Sequence, residues 1–232
     1  MEMSVSDGAA TGQRVRLSQE ERRDRSERRI VGAALIAIAR RGVAGASLAD
    51  IGELAGFSRG LPAHLFGNKD RLLAECLRRM VEDHWMSRLP DVGSTAAFDA
   101  LAHVVRRWTA DLLAYPEKSR AHFLMLQEAN MEDVEVKFPQ LAATIRSYNS
   151  GSEERLCEYI VAGQEAGELD AALDPKLEAL VIHSTLRGIT LRWLVAPKSV
   201  DLERFTEAYV ARLAATLQSS GLDAQPRKGA QG

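Results

Sequence analysis

Side chains able to hold a negatively charged partner are unevenly spread along this chain of 232 residues. Residues 14 to 79 carry 14 arginines and lysines against 8 aspartates and glutamates, whereas residues 80 to 232 carry 16 against 22, and the formal net charge of −2 conceals the contrast. A basic amino-terminal third joined to an acidic remainder suits contact with a polyanion, the plain alternative being a solvated, charged helix face. Residues suited to covalent or metal chemistry form no pattern. His64, His84, His103, His122 and His183 are scattered, without an HExxH or any pair at metal-ligand spacing. Cys76 and Cys157 form no CxxC and read as buried helical thiols, so neither a disulfide framework nor a zinc knuckle is expected. Gly67-Asn68-Lys69 lacks the upstream glycine and the following Ser/Thr of a phosphate loop, GxGxxG is absent, and Glu132, Asp133 and Glu135 read as a solvated turn. No metal, no cofactor and no enzymatic activity are expected.

The elements that must position these charges are helices. The composition, 46% apolar and 27% charged, is that of a globular chain, and many of the 17 glycines and 7 prolines fall between periodic segments. The longest uncharged apolar stretch, Ile30 to Ala39, is about half a membrane span, and no signal peptide opens the chain. A cytoplasmic protein with no membrane partner is therefore expected. Residues 1–17 read as a disordered arm and 221–232 as a disordered tail. Ser18 with Glu21 predicts a capping box opening a first helix through Ile30, Ala34 and Ile38, with Gly42 in the left-handed position that ends it. A second helix covers Leu48 to Ala55 and a third, capped by Ser58, covers Arg59 to Phe66. Asn68 caps a fourth from Lys69 to about Ser87.

Residues 47–66, SLADIGELAGFSRGLPAHLF, have the layout of a helix-turn-helix. Ile51 and Leu54 are expected to face the core and Phe57 to plug the turn. Gly56 is needed where the backbone takes positive φ, and Gly52 where a side chain larger than methyl would force the two helices apart. The third helix then projects its amino-terminal half outward, towards a major groove about 12 Å wide.

From Glu20 to Met80 the sequence resembles the DNA-binding domain of the tetracycline-repressor (TetR) family of bacterial regulators. The matching elements are the turn Ala55-Gly56-Phe57-Ser58, the run Ala63-His64-Leu65-Phe66 and the helix start Asn68-Lys69-Asp70. Ala63, where the family usually has an aromatic, and Pro62 within the recognition helix depart from the pattern. The resemblance implies that Ser47 and Lys69 bind phosphates and that Ser58, Arg59, Gly60, Leu61 and His64 lie along the groove. Arg59 is the candidate for base reading, because its fork matches the two acceptors of guanine. Arg22, Arg23, Arg25, Arg28 and Arg29 would add affinity without sequence preference, and Arg14 and Arg16 would form a loose arm.

Beyond residue 80 only the helical layout is similar to the family. Phe98, Leu101, Val105, Trp108 and Leu112 form one apolar stripe ended by Tyr115-Pro116, and further helices cover about Glu117 to Asn130, Pro139 to Glu165 with Gly151 as a candidate break, Lys176 to Val195, and Asp201 to Ser219. The helix Lys176 to Val195 is apolar on two faces. Leu177, Leu180, Val181, Ser184, Gly188, Leu191 and Val195 make one face and are expected at a homodimer interface, joined by Leu202, Phe205 and Tyr209 of the last helix. Ile182, Leu186, Ile189 and Trp193 make the other. By the resemblance this half also holds a small-molecule effector. Trp85, Trp108, His122, Phe123, Leu126, Tyr148 and Arg187 are the candidate contacts, with Trp193, His103 and Asn130 as further ones. The expected architecture is all-α: a three-helix helix-turn-helix DNA-binding domain over residues 18–67, followed by a larger helical effector-binding and dimerisation domain over 68–220. The expected function is a ligand-responsive regulator, a repressor that binds a palindromic double-stranded DNA operator as a homodimer and is released by a small apolar effector. The alternatives are a helix-turn-helix used for protein contact and an all-helical enzyme without a recognisable motif.

Overall fold

A computed structural model describes residues 18–82, 88–128 and 133–218. Ten α-helices are present among them: α1 (Gln19–Gly45), α2 (Leu48–Leu54), α3 (Leu61–Phe66), α4 (Lys69–Met80), α5 (Ala97–Ala114), α6 (Pro116–Glu128), α7 (Val134–Lys137), α8 (Pro139–Glu165), α9 (Pro175–Val195) and α10 (Leu202–Leu217). No strand forms among the described residues beyond one isolated bridge between Leu169 and Gln218. None of these helices is long and apolar enough to cross a membrane.

Local chemistry sets five of the ten helix starts. Ser18 and Glu21 form the reciprocal capping box, and Ser47, Asn68, Asp174 and Asp201 each accept a backbone N–H from the first turn of their helix. Gly42 breaks the first helix as expected, but its ψ of 173° is extended, and the chain resumes a helical turn to Gly45. Gly151 does not interrupt α8, which is continuous.

The third helix differs from its expected form. It starts at Leu61, two residues late, with Gly60 as its cap and no side-chain cap bond, so Ser58 contributes its carbonyl to Leu61 N–H (3.2 Å) and not its hydroxyl. The cause is Pro62, which lacks an N–H and is suited to the first helical turn, where none is needed. Leu54 is also displaced from expectation and is 49% exposed. The buried contact of the seven-residue α2 is made by Ile51, Gly52 and Ala55.

Two apolar cores form. The first joins Ile30, Ala34 and Ile38 of α1 to Ile51 of α2, to Leu72, Leu73, Cys76 and Leu77 of α4, and to Met125 of α6 and Leu141 of α8. The second is built from α5, the later part of α8, α9 and α10, including Leu101, Val105, Tyr159, Ile182, Leu186 and Leu213. The helix-turn-helix therefore shares its core with α4, α6 and the start of α8.

Gly52 and Pro62 fit as a pair. A Cβ on Gly52 would lie 2.7 Å from the Ser58 carbonyl oxygen and 3.1 Å from Pro62 Cδ, so even a methyl group is too large. Gly52→Ala should destabilise the protein by about 1–3 kcal/mol despite its gain in helix propensity. Gly32→Ala, where nothing lies within 4 Å, should stabilise it by about 0.5–1 kcal/mol. Urea unfolding of both variants checks the pair, and equal effects would contradict the close-packing account.

Candidate nucleic-acid interface and internal cavity

The turn before α3 is fixed by three contacts. Gly56 has φ of +74°, which a side chain rarely tolerates. Arg29 of α1 donates to the Ala55 carbonyl at 2.7 Å, and its guanidinium lies 4.6 Å from the centre of the Phe57 ring. Phe57 is half-buried against the first core, as its plugging role requires. Arg29, expected among the loosely affinity-raising arginines, is thus engaged in holding the turn.

Once the turn is set, Ser58, Arg59, Gly60, Ala63 and His64 are exposed together on the outer side, while Pro62 is buried and Leu61 is half-buried against the core. Arg59 pairs with Glu53 of α2 at 2.8 Å in the free protein, both side chains being exposed. Ser47 sits exposed at the start of α2, its hydroxyl accepting from Asp50 N–H. Lys69 is placed differently from a free phosphate anchor. Its ammonium donates to the Val43 carbonyl and, at 3.4 Å, to that of Ala44, where the end of α1 leaves acceptors open. Burial lowers its pKa below the ordinary lysine value. Arg23 and Arg28 pair with Glu27 and Asp24 on their own helix. Arg14 and Arg16 lie outside the described residues.

Further along, the carboxyl end of α4, α5, α6, Tyr148 of α8 and one side of α9 line a partly open cavity of about 280 Å³. Trp108, His122, Phe123, Leu126, Tyr148 and Arg187 all line it, six of the seven expected contacts. Trp85 and Asn130 lie outside the described residues. Trp193 is instead packed in the second core, and His103 is exposed with its ring nitrogen 3.2 Å from the Arg88 carbonyl. Met80, Val81, Asp111, Tyr115, Lys118 and Thr190 are among the other lining residues and were not expected as contacts. The two charged ones carried no signal, because Asp and Lys at helical spacing read as surface.

Hydrogen bonds and ring contacts order the wall. Trp108 Nε1 donates to Thr190 Oγ1 at 2.8 Å, and the His122 and Tyr148 rings meet edge to face with centres 5.2 Å apart. His122 Nε2 is shut off from solvent without a hydrogen-bond partner. Burial, aided by the nearby Arg187 charge, pushes the His122 pKa down to about 4, so the ring is neutral at pH 7. His183 behind it is buried, and that burial lowers its pKa despite a 3.1 Å contact with Glu153.

The outer side of α9 is apolar and open. Leu177, Leu180, Val181, Leu191 and Val195 are exposed together with Ser184 and Gly188, whereas Ile182, Leu186 and Trp193 are buried on the opposite side. Leu202 is misplaced in the expected interface, being 3% exposed inside the second core at the start of α10. Phe205 and Tyr209 are half-buried, stacked 5.6 Å apart.

Residues 30–76 match the family model of the tetR family of bacterial regulatory proteins. Residues 97–218, more than half of the chain, match the model of the carboxyl-terminal part of BetI-type transcriptional repressors. The chain belongs to the TetR family. It is 28% identical over 200 residues to the transcriptional regulator TtgR of Pseudomonas putida, covering 84% of this chain and 92% of TtgR. A TetR-family regulator from Rhodococcus sp. superposes with a TM-score of 0.69 at 26% identity, covering 83% of this chain and all of that one. A regulator from Saccharomonospora viridis, solved in complex with choline, has a TM-score of 0.72 at 18% identity over 84% of this chain and 99% of its own. As a TetR-family member the chain is a DNA-binding transcriptional regulator and not an enzyme.

The neutral His122 makes stability depend on pH with a definite sign. Between about pH 6.5 and 4 the unfolded chain binds a proton that the folded ring refuses, so stability falls as pH drops through that window, by about 1.4 kcal/mol per pH unit for one such site. His122→Phe should lose less stability than the wild type between pH 7 and pH 5 in urea titrations. Parallel losses would show that the buried ring does not control this dependence.

Proposed function

We propose that this regulator is a repressor, binding a palindromic operator as a homodimer and released when a small, largely apolar effector enters the cavity. The observation that carries this reading is the anchoring of α4, whose last turn lines the cavity and whose body packs in the core of the helix-turn-helix. Met80 and Val81 stand at the cavity. Next to them Arg79 pairs with Glu27 of α1 at 3.0 Å, and Leu72, Leu73, Cys76 and Leu77 are buried against the DNA-side helices. An occupant that displaces this last turn therefore moves α1, tied to it through Arg79, and α3, which packs on α4. Two recognition helices held at a new separation no longer match successive turns of DNA.

The open apolar face of α9 supports the dimer. A row of exposed leucines and valines with two small residues is costly in water and suits a second copy of itself across a two-fold axis. Two equivalent reading heads then impose two-fold symmetry on the site. The choline complex of the Saccharomonospora viridis regulator supports only the general point that this fold holds small molecules.

Selection from a random double-stranded DNA library at two salt concentrations tests the reading. An inverted repeat should be recovered, with affinity falling steeply as salt rises. Arg59→Ala should relax preference at one base pair of each half-site and cost about 1–3 kcal/mol of binding free energy. A selected set without symmetry would contradict the dimeric repressor, and unchanged preference in the variant would remove Arg59 from base reading.

A further inference from the structure

Arg187 brings to the cavity a positive charge that no carboxylate among the described residues pairs with. Asp111 is already neutralised: Arg107, one turn earlier on α5, holds both of its carboxylate oxygens, at 3.1 and 2.7 Å. Lys118 stands with its ammonium 4.8 Å from the centre of the Tyr115 ring. Arg187 is half-buried and gives one N–H to the neutral amide oxygen of Asn149 at 3.1 Å, and no carboxylate among the described residues pairs with it. A guanidinium has five donors, so most of its hydrogen-bonding capacity is open to an occupant. His122 contributes a neutral ring to the wall, its Nε2 shut away from the cavity space. The rest of the wall is aromatic and aliphatic, with Trp108 and Phe123 facing the same space.

A wall of apolar and aromatic side chains that carries the Arg187 guanidinium disfavours quaternary ammonium groups, however aromatic its surroundings, and favours an anion with an apolar body. We propose that the cavity takes a small aromatic carboxylate, its carboxylate paired with Arg187 and its ring lying against Trp108 and Phe123. A planar guanidinium meets a carboxylate through two parallel N–H bonds, which fixes the orientation of the ring as well as its charge. The cavity volume of about 280 Å³ accommodates one or two fused rings. This inference rests on reading the chain as an effector-controlled regulator and adds the chemical class of the effector.

The test uses three probes of similar size and different charge on the full-length protein: 2-naphthoate, the neutral 2-naphthamide and the cationic 2-naphthyltrimethylammonium. Calorimetry measures binding, and retention of the selected DNA is followed in parallel. The expected order places naphthoate at least tenfold tighter than the amide, with the cation weakest. Arg187→Met should remove the tenfold preference while binding the amide as the wild type does, which also shows that the cavity is intact, and Arg187→Lys should restore part of it. Equal binding of the amide or tighter binding of the cation overturns the carboxylate class, as does a preference that survives Arg187→Met. Release of DNA by the amide or the cation would in that case leave the regulator reading standing. Preferential naphthoate binding without release of DNA supports the ligand class and overturns the effector role. Binding of none of the three, with the DNA complex unaffected, overturns both for this cavity.

Discussion

A buried carboxylate governs how the two halves of this protein meet. Asp70, the second residue of α4, accepts the backbone N–H groups of Gln140 and Leu141 at 3.0 and 2.9 Å. Those are among the orphan donors at the start of α8, a helix that has no cap of its own from Phe138. A negative charge there is favoured by the helix dipole, and buried N–H groups left without it would be costly. Its neighbour Lys69 reaches the other way, to the last carbonyls of α1. Two consecutive residues thus pin the start of α4 to α1 on one side and to α8 on the other. Arg79 pins its far end to α1 again, bonding Glu27 at 3.0 Å and Glu75 within α4. The helix between these ties is buried over Leu72, Leu73, Cys76 and Leu77 and has little room to bend. Displacement at one end is therefore transmitted as movement of the whole rod.

A second seam runs in parallel. Ala33, Ala34 and Ala37 of α1 are buried, as is Ala121 of α6, and small side chains on both surfaces allow close approach of α1 and α6. Arg120 of α6 donates to the Ala39 carbonyl of α1 at 2.9 Å. His122, Phe123 and Leu126, on the same helix, line the cavity. The cavity is thus bounded by two helices that are each fastened to α1.

Much of this organisation was legible in the sequence because it depends on local rules. The capping box at Ser18, the positive φ at Gly56 and the two-faced pattern of α9 follow from short-range geometry and helical period, and the structure contains them as read. The cavity aromatics were legible for the same reason, since they recur at helical spacing on helices that must face inward. What failed to show were the uses of long polar side chains across the fold. Arg29 and Lys69 look like phosphate ligands in a basic segment, yet their partners are carbonyls 26 residues away in each case. Asp70 reads as an ordinary first-turn acid, and only the arrival of α8 makes it a cap. Leu54 and Leu202 were assigned wrongly because apolar character does not say which of two available surfaces a residue at a helix end will meet.

The ninth helix shows how one element serves two surfaces. Arg187 and Thr190 turn towards the cavity, where Thr190 holds the Trp108 indole and Arg187 supplies the unbalanced charge. Leu177, Leu180, Val181 and Val195 face outward along the same helix. Gly188 and Leu191 belong to both sets, lining the cavity while remaining exposed on the apolar side. At Gly188 nothing lies within 4 Å of where a Cβ would stand, so the space beside this shared edge is open. Whatever covers the outer face closes the cavity along that edge, and whatever fills the cavity presses on the helix that carries the outer face. A ligand in the cavity and a second subunit on the outer face would then be coupled through a single helix, with the same sign in both directions, as linkage demands.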